Sequence, residues 1–145
     1  MAKPDPERLA AWRGINTGQA RVSAALDAAL RAECGLSLTW FELLEAIVTG
    51  GPLTIGQLSS AMAANSTTVS RRLDRMQHQG LVERVQDRVD ARAVTVSTTA
   101  AGRAAYRKAV PAWRRCLQRE FAGVLTETDV VALLRIAAKL NPPGN

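Results

Sequence analysis

Residues 65–80 read Asn65-S-T-T-V-S-R-R-L-D-R-M-Q-H-Q-Gly80, and the fold follows from this stretch. Asn65 is suited to cap a helix, because its short side chain accepts a bond from an amide that the first turn leaves unpaired; Gly80 suits the left-handed residue that ends one. At about 100° per residue, Val69, Leu73 and Met76 share one stripe, while Thr67, Ser70, Arg71, Asp74, Arg75 and His78 lie on or beside the opposite one. The apolar stripe must pack inward. The outer face then carries hydroxyls and guanidinium groups with one carboxylate, a set that binds phosphates and reads base edges in a DNA major groove. Arg72 falls nearer the buried side, where it snorkels or pairs with an acid.

Working outward, Thr54 to about Ala63 places Ile55, Leu58 and Met62 at helical spacings, with Thr54 as N-cap after the Gly50-Gly51-Pro52 break. Two short helices joined by a small turn form a helix-turn-helix, whose second member enters the groove. Many helical hairpins bind nothing, so the next segments matter. Leu81 to Gln86 (L-V-E-R-V-Q) and Ala93 to Thr98 (A-V-T-V-S-T) alternate like strands with one buried face. The loop between them, D-R-V-D-A-R from Asp87 to Arg92, is too charged for a core. It reads either as a wing whose arginines reach a flanking minor groove or as a solvated turn in which Arg and Asp pair. Asp90 can brace Arg92 in either case.

The run S-x-x-x-S-R-x-L-D-x-M-x-x-x-G-L-V-x-R from Ser66 to Arg84, followed by D-x-R at Asp90 to Arg92 and V-x-T-T-x-x-G at Val96 to Gly102, resembles the MarR family of bacterial transcriptional regulators. The flanking helices match that family in number and order, so the resemblance covers nearly the whole chain. It implies that the first and last helices of two protomers interlock, with the winged helices projecting from that dimer. It also implies release of DNA by a small aromatic or anionic effector, or by oxidation of a cysteine. Ala63 stands where the family has a turn glycine, and Thr98 where it has a leucine. Because a left-handed alanine costs roughly 1 kcal/mol or more, the turn at Ala63 is expected to adopt another conformation.

The rest of the chain sets bounds. Its 145 residues fit one domain or one joined unit, with 47% apolar and 22% charged residues, ordinary for a soluble globular chain. A net charge of +6 and a pI near 10.3 favour a polyanionic partner. Residues 1–13 contain Lys3, Asp5, Glu7, Arg8 and Arg13 and no apolar run, unlike a signal peptide. The longest uncharged stretch, Ala46 to Ser70, is broken by Gly50, Gly51 and Pro52 and does not read as a membrane span. Two cysteines, Cys34 and Cys116, suit a reducing cytoplasm rather than a disulfide framework. One histidine and two distant cysteines offer no metal-ligand spacing, and no phosphate-cradling glycine loop or nucleophile with its base appears. No cofactor, no catalytic residue and no enzymatic activity are expected.

At the N-terminus, Leu9, Trp12, Ile15, Val22, Leu26 and Leu30 mark one amphipathic helix from about Pro6 to Glu33. At roughly 28 residues it would be about 42 Å long, more than a small monomer can cover, so a partner chain is implied. Thr39 to about Thr49 is apolar nearly all round and should be the central helix. After the wing, Tyr106, Val110, Trp113, Leu117, Phe121 and Val124 define a helix from Thr99 to about Leu125, with a kink or break expected at Pro111. Its basic residues, Arg103, Arg107, Lys108, Arg114, Arg115 and Arg119, read more simply as a solvated face than as a DNA contact. Thr126 caps a last helix to Leu140.

The sequence therefore predicts a mainly α winged helix-turn-helix with one β-hairpin wing, residues 37–102, and a helical dimerisation region from residues 1–36 and 103–145. The expected function is a cytoplasmic, sequence-specific transcriptional regulator, in the sense of a repressor, binding a pseudo-palindromic operator in double-stranded DNA as a homodimer, without a membrane. The DNA-contact residues are Thr67, Ser70 and Arg71 for base edges, Ser66 and Arg75 for phosphates, Arg88 or Arg92 for the minor groove, and Thr68 and Asp90 beside them. Trp12, Trp40, Phe41, Tyr106 and Trp113 are candidates to line an effector cleft, although aromatics at helical spacing are commonly plain core. Two alternatives stand: a winged helix that binds only protein, and a thiol-based redox regulator acting through Cys34 or Cys116.

Overall fold

The structure, a computed structural model, describes residues 1–86, 89–90 and 93–144. Among these, the order is α1 (Pro6–Cys34), α2 (Leu38–Gly50), β1 (Leu53–Thr54), α3 (Ile55–Met62), α4 (Ser66–His78), β2 (Val82–Gln86), β3 (Val94–Thr98), α5 (Ala100–Glu120), a short 3-10 turn (Ala122–Val124) and α6 (Glu127–Leu140). The chain divides into two compact units, Leu26–Trp113 and Met1–Ala25 with Arg114–Asn145.

In the unit Leu26–Trp113, α2 is the centre, as its all-round apolar sequence predicts. Phe41, Leu43 and Leu44 have no exposed surface, and Leu38 and Ile47 are buried beside them. Its first turn is doubly capped: the Ser37 hydroxyl accepts the Trp40 amide at 3.2 Å and Asp27 Oδ1 accepts the Leu38 amide at 2.9 Å. That amide, with the Arg31 guanidinium bound to Asp27 Oδ2 at 2.7 Å, holds the Asp27 carboxyl below its usual range.

α3 starts at a reciprocal capping box, in which Thr54 Oγ1 accepts the Gln57 amide at 3.1 Å and Gln57 Oε1 accepts the Thr54 amide at 2.9 Å. It ends on Ala63 at φ 49° and ψ 41°. This corrects the expectation that an alanine would avoid the left-handed conformation. The amides of Ala63 and Ala64 return to the carbonyls of Ser60 and Ser59 at 3.3 and 3.1 Å, and the exposed methyl meets no packed wall. Those bonds offset the steric cost of about 1–2 kcal/mol. α4 follows with Asn65 Oδ1 accepting the Thr68 amide at 2.8 Å, and it stops at Gly80, where φ is 74° and the Leu81 amide reaches back to the Met76 carbonyl at 2.9 Å. Val69, Leu73 and Met76 are fully buried, as their stripe predicts.

The sheet is antiparallel in the order β1-β3-β2. β1 was not foreseen, because two residues carry no readable alternation; Leu53 pairs with Val96 and Thr54 with Thr95. Between β2 and β3 the register sets Val82 opposite Thr98 and Arg84 opposite Val96. Val82, Val96 and Thr98 are buried, so Arg84 shares the parity of the inward-facing positions. Thr98 is buried at the junction, and its backbone carbonyl accepts Arg103 Nη1 at 2.8 Å. Thr99 then caps α5, its hydroxyl accepting the Gly102 amide at 3.0 Å. Gly102 must be glycine, since a Cβ there would fall far inside van der Waals contact with the Leu81 carbonyl oxygen.

α5 runs unbroken through Pro111, so the expected break there does not occur. Pro111 lies on an exposed face, and the helix gives up the one bond that its missing amide would make. The helix nonetheless ends at Glu120, earlier than Leu125, and gives way to the 3-10 turn.

The second unit combines residues 1–25, the end of α5 from Arg114, and α6, whose capping box joins Thr126 to Asp129. Arg21 joins two of its helices, donating to Glu120 Oε2 at 2.9 Å and to the Glu120 carbonyl at 3.1 Å. Among its described residues only Cys116 is buried. Trp12, Val131 and Leu134 keep 57%, 67% and 65% of their surface exposed. A hollow of about 590 Å³ lies between its helices, walled by Ile15, Val22, Leu117, Phe121, Val124 and Leu133.

Candidate nucleic-acid interface

The site is one face of α4, presented outward because the opposite face is locked into the core. Asn65 fixes where the helix begins, and Ser59, whose hydroxyl lies 2.7 Å from the Ile55 carbonyl and 3.3 Å from Ser66 Oγ, ties α3 to its first turn. Ser66, Thr67, Ser70 and Arg71, four of the residues singled out in the sequence, line one open depression of about 370 Å³ with Ile55. Arg71 sits one turn beyond Thr67, so hydroxyl acceptors and donors are set beside a guanidinium fork on one surface. Thr68 is half-buried at the edge of this patch, its amide bound to the cap.

Arg75, exposed one turn further along, lines a second depression of about 380 Å³ with Trp40, Asp74, His78 and Gln79. Asp74, the one carboxylate on α4, is bound at 2.8 Å by Arg84 Nη2 from β2, which offsets part of its charge beside Arg71 and Arg75. Arg72 lies toward the covered side, where its charge partly offsets the burial that pushes the nearby Glu42 carboxyl upward.

Of the wing candidates, Asp90 is exposed and its carbonyl accepts the Ala93 amide at 3.0 Å. Arg88 and Arg92 lie outside the described residues. The aromatic candidates separate. Phe41 stacks with Tyr106 at a centroid distance of 5.3 Å and with Trp113 at 5.5 Å, and Phe41 is wholly buried. Trp40 borders the Arg75 depression instead, and Trp12 belongs to the other compact unit. Cys34 is half-buried with its thiol 3.8 Å from the Lys108 carbonyl, and Cys116 is buried with Arg119 Nη2 at 3.7 Å from its sulfur. Arg84 closes the motif that begins at Ser66 but carries no site role there. Its signal was present: a basic residue two positions after Val82 falls on the inward side of an alternating strand.

The winged helix built from α3, α4, β2 and β3 invites comparison with known families. Residues 35–93 match the family model described as MarR family, a segment that contains α2, α3, α4 and β2 and stops just before β3. The matched segment, and the fold of the chain, are those of the MarR family. No curated protein matches the sequence. Among solved structures, the MarR-family regulator Sco3205 of Streptomyces coelicolor, in complex with DNA, superposes with a TM-score of 0.88 at 19% identity, over 100% of this chain and 95% of that one. A mutant E. coli MarR complexed with operator DNA gives 0.83 at 22% identity, over 97% and 100%. BpsR of Bordetella bronchiseptica, whose DNA binding is regulated by 6-hydroxynicotinic acid, gives 0.80 at 23% identity, over 91% and 93%. At these identities the MarR likeness establishes the fold of the chain.

Proposed function

We propose that the chain is a sequence-specific DNA-binding transcriptional repressor that acts as a homodimer on a pseudo-palindromic operator and is released by a small aromatic or anionic molecule. The observation that carries this reading is the outer face of α4, where Ser66, Thr67, Ser70 and Arg71 converge, Arg75 extends the basic surface and Asp74 is tied to Arg84. Two similar folds crystallised in complex with DNA support a DNA-binding role, and the regulation of BpsR by 6-hydroxynicotinic acid supports an effector. Residues 37–102 serve as the DNA-binding region, and residues 1–36 with 103–145 as the dimerisation region, whose apolar surface a second copy would cover. Tyr106 and Trp113, half-buried against Phe41, offer the effector an aromatic wall.

Thr67, Ser70 and Arg71 read base edges, Ser66 and Arg75 hold phosphates, and the wing arginines Arg88 and Arg92 enter the minor groove. Two α4 helices related by a two-fold axis read half-sites about one helical turn apart, an imperfect palindrome of roughly 16 to 20 base pairs. The test is selection of a binding site from random duplexes, followed by titration of variants on it. Arg71→Ala loses affinity and preference together, by about 1 to 3 kcal/mol, whereas Arg75→Ala weakens all sequences alike and flattens the salt dependence by about one unit per contact. Failure to enrich any sequence, with retention of a protein partner instead, overturns the reading.

A further inference from the structure

Arg84 reaches from β2 to the flank of α4, beside the face that carries the base readers. Its guanidinium bonds Gln77 Oε1 at 2.6 Å through Nη1, and Asp74 Oδ1 at 2.8 Å and the Ser70 carbonyl at 3.4 Å through Nη2. The three acceptors sit at intervals of four and three residues, so they form one stripe along about two turns of the helix. The arginine comes from the middle of β2, at an inward register position opposite Val96, and keeps 24% of its side-chain surface. One fork therefore joins the helix that carries the base readers to the strand that leads into the wing.

Resting on the DNA-binding reading, we propose that Arg84 is a specificity-determining positioning residue: it clamps the rotation of α4 relative to the wing and so fixes the angle at which Thr67, Ser70 and Arg71 meet base edges. Arg84 touches no base itself. The helix is already held by the burial of Val69, Leu73 and Met76, which sets its depth in the core. A buried apolar stripe resists lifting more than it resists rolling, because rolling exchanges one apolar contact for another. Directional bonds at three points along the helix oppose the roll. Base reading is sensitive to roll, since bidentate contacts need their angles, whereas phosphate contacts tolerate it.

This separates Arg84 from a simple stability contact. Lysine at this position keeps the charge and the Asp74 attraction but lacks the planar fork that reaches three acceptors. Arg84→Lys should therefore keep the helical signal and melt within a few degrees of the parent, while the ratio of affinity for the selected site over a scrambled duplex falls about tenfold. Asp74→Asn removes the charge of one partner and Gln77→Met the acceptor of another, and each should move the same ratio in the same direction by a smaller factor. Binding to the scrambled duplex, which rests on phosphates, should change less than twofold in Arg84→Lys.

The readouts are melting temperature, affinity for both duplexes, and the slope of each against salt. If the parent selects a site and Arg84→Lys keeps its specificity ratio, or loses both affinities in parallel with its melting temperature, the positioning role is wrong. If Arg84→Lys does not fold, Asp74→Asn and Gln77→Met decide by the same ratio. A parent that selects no site instead overturns the DNA-binding reading on which the proposal rests.

Discussion

Phe41, Leu43 and Leu44 have no exposed surface, while Val131 and Leu134, just as apolar, keep 67% and 65% of theirs. The first three lie in the unit Leu26–Trp113 and the last two in the unit of residues 1–25 and 114–145. Leucine content does not separate them, since α2 and α6 carry three leucines each. What separates them is coverage. α2 packs against α3 and β3 in its own unit, whereas in α6 Val130, Val131, Leu133, Leu134, Ile136 and Leu140 all stay exposed. Since burial is worth about 25 cal/mol per Å² of apolar surface, the exposed face of α6 is where the proposed second copy would add most to stability.

The sharpest way to break this comparison is to remove one large side chain from each unit. Phe41→Ala should destabilise by about 3–5 kcal/mol through transfer and cavity terms, and the loss should not depend on protein concentration. Leu134→Asp removes little from a monomer, because the residue is exposed there, but it places a charge on the proposed contact and should split the dimer. Sedimentation equilibrium and denaturant melts at two protein concentrations check both. A Leu134→Asp protein as dimeric as the parent removes the proposed cover from α6.

Next in size is Gly102→Ala. A methyl there collides with the Leu81 carbonyl, backbone that cannot step aside, so the start of α5 must shift from the turn after α4. Overpacking of this kind costs typically about 1–3 kcal/mol. The loss should appear in the melt of the unit Leu26–Trp113 and leave the monomer-dimer balance unchanged.

How much of this was legible follows from the range of each signal. The stripe Val69, Leu73, Met76 and the caps Asn65, Thr54 and Thr126 are local, so the sequence carried α3, α4 and α6 nearly to the residue. β1 was not legible, because its pairing to Val96 and Thr95 is made across some forty positions of chain by two residues. Nor was the conformation of Ala63, since an intrinsic penalty pointed one way and two backbone bonds at the helix end won. Arg84 shows the same limit at the site. Its strand parity was readable, but its three partners on α4 come from a packing angle the sequence does not state.

Ala63 therefore gives a smaller test with an unusual sign. Ala63→Gly should stabilise the unit by about 0.5–1 kcal/mol, since glycine adopts φ 49° without the steric cost, less what it adds to the freedom of the unfolded chain. A neutral or destabilised variant would mean that the two backbone bonds already relieve the strain.

The smallest effects come from two carboxylates of this same unit that titrate in opposite directions. Asp27 is lowered, chiefly by the Leu38 amide and then by the Arg31 guanidinium, so it binds protons less well folded than unfolded. It contributes stability above the unfolded value of about 3.9, and that contribution is lost as pH falls through the lower folded value. Glu42 is raised, first by burial and then by Glu45, with Arg72 offsetting part. Its folded form prefers the proton, so its contribution is full below the unfolded value of about 4.3 and is lost as pH rises through the folded one. Urea melts from about pH 3 to about pH 7 on Asp27→Asn and Glu42→Gln separate the two. Asp27→Asn should lie below the parent at neutral pH and close on it in acid. Glu42→Gln should lie above the parent at neutral pH and close on it in acid as well. Parallel curves for both variants across the whole range would show that neither carboxylate is shifted by the contacts that surround it.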